Sequence, residues 1–191
     1  MKHSARLPIQ IIALFLVLTA STCNKNPELD PNAMLPPATQ IGANTFGCLI
    51  NGQVFLPYEP FLSGKVPIEI DYQPSSDGYH LYINAVNNSA NFQSVGLFAD
   101  SVTIMEGQTY ALKSRKNGNA SAASFLVYLP SRGSQNYLLS TNDTTARATG
   151  QLHISKFKMD STRLIISGTF WFNAFDNYGD SVNVTEGRFD L

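Results

Sequence analysis

The chain has 191 residues, 13 Lys and Arg against 14 Asp and Glu, 43% hydrophobic and 14% charged side chains, and two cysteines. That length suits one domain, and the charged fraction is well below the usual ~25%. A near-neutral balance excludes the basic footprint of a nucleic-acid binder, and two cysteines exclude a disulfide-dense scaffold and a four-cysteine zinc site.

Lys2 and Arg6 open the chain, and an apolar run from Ile9 to Ala20 follows, broken only by Gln10. As a helix that run covers about 18 Å, short of a ~30 Å hydrocarbon core. With the small residues Ala20, Ser21 and Thr22 behind it, residues 1–22 read as a secretory signal peptide. Ala20-Ser21-Thr22-Cys23 resembles the lipobox of bacterial lipoproteins, with Ala20 where Leu is usual and Thr22 where Gly or Ala is usual. The resemblance implies cleavage before Cys23, a diacylglycerol on its thiol, and a lipoprotein held by its N-terminal lipid at the outer membrane of a cell envelope. Each buried methylene adds ~0.8 kcal/mol of membrane affinity, so several acyl chains anchor firmly. Left unacylated, Cys23 could instead pair with Cys48 in an oxidising compartment. Loss of residues 1–22 removes two cations and leaves the chain mildly acidic, 11 against 14.

Residues 23–44 carry Pro27, Pro31, Pro36 and Pro37 with no apolar periodicity and read as a lipid-anchored, proline-rich tether. From Thr45 the pattern is β. Phe46, Cys48 and Ile50 alternate, and Asn51-Gly52 then separates them from Gln53-Val54-Phe55, a strong hairpin signal because both turn residues accept positive φ. Further strands are expected over 67–73, 79–86, 94–99, 101–105, 108–113, 123–130, 136–141, 149–159, 162–175 and 181–191. Turn residues such as Ser-Ser-Asp-Gly (75–78), Lys-Asn-Gly-Asn (116–119) and Asp-Asn-Tyr-Gly-Asp (176–180) divide them. The sum is one all-β domain over 45–191, an antiparallel β-sandwich of jelly-roll or immunoglobulin-like type, with an antiparallel β-barrel as the alternative.

Within 162–175, Leu164, Ile166, Gly168, Phe170, Phe172 and Ala174 share the core face, and Trp171 lies on the other. Likewise Leu81, Ile83 and Ala85 oppose Tyr82, and Phe125, Val127 and Leu129 oppose Tyr128. The second faces mix polar and aromatic residues, so they are expected to be partly wet. Cys48, between Phe46 and Ile50, reads as a small core hydrophobe. Arg188 and Asp190 share a strand face opposite Phe189, which suggests a salt bridge or edge-strand protection.

The stretch Leu35-Pro36-Pro37-Ala38-Thr39-Gln40-Ile41-Gly42-Ala43-Asn44-Thr45-Phe46-Gly47-Cys48-Leu49-Ile50-Asn51-Gly52 resembles the start of a domain-of-unknown-function family found in Bacteroidota lipoproteins. The ending Thr185-Glu186-Gly187-Arg188-Phe189-Asp190 resembles that family's closing strand. The resemblance implies an envelope lipoprotein with a β-rich domain and carries no activity with it.

Catalytic signatures are sparse. There is no Gly-x-Ser-x-Gly elbow, no His-Glu-x-x-His and no phosphate-cradling glycine loop. Asp176, Asn177 and Asp180 offer oxygens around Gly179, but they lack the spacing and terminal Glu of an EF-hand, and a hairpin turn explains them. No metal and no cofactor is expected. Glu69 and Asp71 share a strand face and supply the only case for a carboxylate-dependent hydrolase. The expectation is therefore a non-enzymatic binding module for a glycan, peptide or protein partner, with Tyr82, Tyr128 and Trp171 as ligand-contact aromatics. The alternative is a structural subunit of an envelope assembly without a small-molecule ligand.

Overall fold

The first hairpin forms where Asn51 and Gly52 both take positive φ, 50° and 80° in the computed structural model. That is the type I′ geometry whose twist matches antiparallel strands, and Ile50 pairs directly with Gln53 across it. The structure describes residues 31–76, 78–89, 92–113, 121–129, 135–141, 147–161, 163–176 and 179–191, with the backbone alone at 123–129 and 135–137. Cys23 lies outside the described residues, as does the 116–119 turn.

The strands are β1 (Thr45–Ile50), β2 (Gln53–Phe55), β3 (Ile68–Ser75), β4 (Gly78–Asn87), β5 (Gln93–Asp100) and β6 (Thr109–Ala111). They continue with β7 (Ser121–Leu129), β8 (Gln135–Ser140), β9 (Thr149–Met159), β10 (Leu164–Phe175) and β11 (Ser181–Asp190). All ladders are antiparallel. One layer runs β2-β1-β11-β10-β9-β6 and the other β3-β4-β5-β7-β8. The hydrogen-bonded path passes from layer to layer through the single pair Phe175 and Ser140. Among the described residues β2 and β3, at the two ends of that path, do not pair, so the sheets form a sandwich and not a closed barrel.

Period-2 alternation builds the core. Ile166, Phe170, Phe172 and Ala174 from β10 face Leu81, Ile83, Ala85, Val95 and Leu97 from β4 and β5, all buried. Phe46, Cys48 and Ile50 join the same core from β1. Burial of this kind is the main favourable contribution to the fold.

Two segments differ from their sequence reading. Residues 101–105 are not a strand: Ser101 takes φ 57°, which breaks the ladder after β5, and Ile104 then turns into the core. Residues 31–44 do not hang free as a spacer, and the compact unit begins at Pro31 rather than at Thr45. This segment lies as a strap across the outer face of the first layer, with Leu35 buried. Long-range hydrogen bonds to Asp190, rather than any periodicity of its own, hold it there. Among the described residues no helix is long and apolar enough to cross a membrane.

Candidate binding face around Trp171

The strap divides the outer face of the first layer into a covered and an open half. In the covered half, Asp190 pairs across the ladder with Ser167, and both are fully buried. The Asp190 carboxylate accepts hydrogen bonds from Thr39 Oγ1 (2.6 Å), Ser167 Oγ (2.7 Å), Gly42 N (2.8 Å) and Ile41 N (3.1 Å). Burial alone would raise its pKa, but these four donors outweigh burial and hold the carboxyl well below the usual carboxylate range. Arg188 does not pair with Asp190. Its guanidinium contacts Glu186 at 3.4 Å and donates to Asn32. Since β11 lies between β1 and β10, edge protection is not its role.

Two residues further along β10 the cover ends: Ser167 is buried, whereas Thr169 and Trp171 are exposed. Trp171 pairs with Gln151 of β9, and its Nε1 donates to Gln151 Oε1 at 3.4 Å, which orients the indole. On its other side β11 carries a bulge. Phe170 pairs with Gly187 and Phe172 with Val184, so Thr185 and Glu186 together oppose Trp171. Glu186 takes φ 53°, uncommon for a residue with a side chain. Gly187 is required beside it, because a methyl group there would lie 2.5 Å from the Phe170 ring. Bulges of this kind re-aim side chains next to functional surfaces.

The residues beside Trp171 are short and mostly neutral. Thr169 pairs with His153, which also faces Thr109 Oγ1 at 3.0 Å, and Asn173 pairs with both Thr149 and Asn183. Phe175, the other outer-face aromatic of β10, is capped by the Arg147 guanidinium 4.6 Å from its ring centre. The exposed indole, 38% accessible, therefore stands on an open sheet face of amides and hydroxyls. Among the described residues, Glu186 of the bulge and Arg188 next along β11 contact each other at 3.4 Å.

Tyr82 is elsewhere. It projects from β4 on the outer face of the other layer, against Phe98 at 5.2 Å, where burial and then the charge of Glu69 raise its pKa. Tyr82 and Trp171 thus face away from each other and share no surface. Tyr128 pairs with Asn136 in the β7–β8 ladder, and its side chain lies outside the described residues. Glu69 and Asp71 sit on β3, which ends the hydrogen-bonded path among the described residues, and pair with Asn84 and Tyr82 of β4. His80 Nδ1 contacts Asp100 in the same layer.

Asp176 closes the last hairpin, its Oδ1 accepting from Asp180 N at 2.8 Å and its N–H donating to Asp180 O at 3.0 Å. Among the described residues no group of three His, Cys, Asp or Glu is placed to hold a metal ion. Cys48 is buried and free, and burial pushes its thiol pKa far up, which leaves it a core residue and no nucleophile.

Gln151 and His153 were readable from sequence as outward positions of an alternating strand. The Glu186 bulge and the Asp190 anchor carry no local signal beyond the glycine that follows Glu186.

A family model described as Domain of unknown function (DUF6252) matches residues 70–190, so the chain belongs to that family. The match includes β10, β11 and the Trp171 face and begins after the strap. No curated protein and no solved structure matches the chain.

Proposed function

For this member of the DUF6252 family we propose a non-enzymatic binding module of the cell envelope, held at the outer membrane by a lipid on Cys23, whose Trp171 face takes an uncharged glycan. The observation that carries the reading is the exposed indole on an open, neutral sheet face, oriented by Gln151 and backed by a bulge at Glu186. An indole offers a large rigid face to the C–H surface of a sugar ring at modest entropy cost. Gln151, Thr169 and Asn173 supply both donors and acceptors for hydroxyls around it. Among the described residues, the charges that β11 sets beside the indole, Glu186 and Arg188, contact each other, which favours an uncharged ligand over a charged one. The signal-like start and the small residues before Cys23 support the anchor.

The test is a glycan array probed with the native chain and with Trp171→Ala. Binding of a defined neutral glycan set that the variant loses supports the module. An identical signal from both proteins removes Trp171 from any binding role. A second reading, a structural subunit of an envelope assembly, is favoured by one observation, the exposed side chains of Phe61 and Leu62. It predicts a protein that stays bound through gentle membrane solubilisation.

A further inference from the structure

Residues 56–67 join β2 to β3 and cross from one layer to the other. Two pins fix this crossing. Tyr58 exchanges backbone hydrogen bonds with Val86 and Asn88, each 2.8 Å, and Pro67 O accepts from Val86 N at 2.8 Å. Between the pins the chain stands away from the sandwich as a single 3-10 turn, Phe61–Ser63, with no buried residue. Pro60 sets its start, and Gly64, at φ 67°, closes it. Phe61 is 98% and Leu62 93% exposed, and Tyr58 and Val66 are exposed beside them.

We propose that this Phe61–Leu62 tip is a second membrane contact, dipping into the same lipid surface that holds Cys23, an inference that rests on the lipid anchor at that residue. Three observations favour lipid as the occupant. The first is shape: two bulky apolar side chains stand clear on a convex turn. A fluid acyl phase receives such a tip without a complementary pocket, as it does the apolar residues of interfacial segments. The second is charge. Glu59 is drawn back to the sheet by Asn88 Nδ2 at 3.2 Å, whereas Lys65 is exposed beside the tip at the level of lipid phosphates.

The third is reach. Eight peptide steps separate Cys23 from Pro31, at most about 28 Å of chain. From Pro31 the strap runs to the root of the tip. A methyl group on Gly47 would touch Pro36 at 2.7 Å, Leu56 at 3.1 Å and Leu35 at 3.3 Å. Pro36 and Asn44 of the strap also share a cleft of about 280 Å³ with Leu56, Pro57 and Pro67. The strap that follows Pro31 therefore lies against the root of the apolar tip.

The test uses the full chain, purified with its anchor and reconstituted into phosphatidylcholine vesicles with or without brominated acyl chains. The F61W/W171F variant carries one indole, at the tip. Its emission should fall at least about twofold in brominated vesicles, while that of the native protein barely changes. Unchanged emission from a variant whose Cys23 is shown by mass spectrometry to be acylated overturns the tip contact and leaves the anchor standing. An unacylated Cys23 overturns both. A protein that co-purifies with the native chain and is lost on F61S/L62S would assign the tip to that partner and also overturn the inference.

Discussion

Thr39 Oγ1 donates a 2.6 Å hydrogen bond to Asp190 Oδ2 and so joins residues 151 positions apart. The same carboxylate takes donors from Ile41, Gly42 and Ser167, so one buried side chain fastens the strap to the last strand. A carboxylate held this way contributes stability that is fully present above the unfolded pKa of Asp, about 3.9, and is lost as the pH falls below it. Asp190→Asn should cost about 2–3 kcal/mol at pH 7, because it removes charge-assisted bonds and leaves buried donors poorly matched. It should also flatten the loss of stability below pH 4. Urea unfolding of both proteins at pH 7 and pH 3 measures both effects. Parallel acid sensitivity in the two would show that Asp190 is not the group responsible.

Neighbouring residues on β10 should behave in opposite ways. Phe172 is fully buried and Trp171 is not. Phe172→Ala should therefore cost about 3–5 kcal/mol through the cavity it leaves. Trp171→Ala should stay within about 1 kcal/mol of the native stability. Thermal and urea unfolding of the two variants separate a core role from a surface role.

Cys48 should be chemically silent in the folded protein. Its thiol is buried and its pKa is raised far above the ordinary value, so almost no thiolate forms at pH 8. Iodoacetamide should label it only after unfolding in guanidinium, which peptide mass spectrometry reads directly. Fast labelling of the native chain at residue 48 would contradict the burial.

The Asn51-Gly52 turn makes a narrower prediction. Space around Gly52 is open, so the cost of adding a methyl group lies in the backbone, which holds φ 80°. Gly52→Ala should destabilise by about 1 kcal/mol without changing the core. A larger loss would mean that the turn does more than close the first hairpin.

Period and turn chemistry made much of the fold readable in advance. The alternation over 164–175 assigned Phe170 and Phe172 inward and Trp171 outward, and Asn51-Gly52 announced its hairpin, because both signals act within a few residues. The strap was not readable. Prolines and the absence of periodicity mark residues 31–44 as a spacer, whereas their hold comes from a carboxylate at the far end of the chain. The 101–105 segment has strand-like composition but is stopped by one residue, Ser101, in a conformation its type rarely adopts. Grouping Tyr82 with Trp171 needed the strand order, since alternation shows only that each points away from the core. The order places them on opposite layers and leaves Trp171 alone with its amide and hydroxyl neighbours.

Trp171 is the only tryptophan in the chain, so its emission reports on the proposed site without labels. Titration of the native protein with neutral oligosaccharides should shift and saturate that emission, and Gln151→Ala should weaken the saturation about tenfold by releasing the indole from its orienting contact. Emission that stays constant across neutral glycans, while a binding signal persists by calorimetry, would place the ligand elsewhere and contradict the Trp171 face as the binding site.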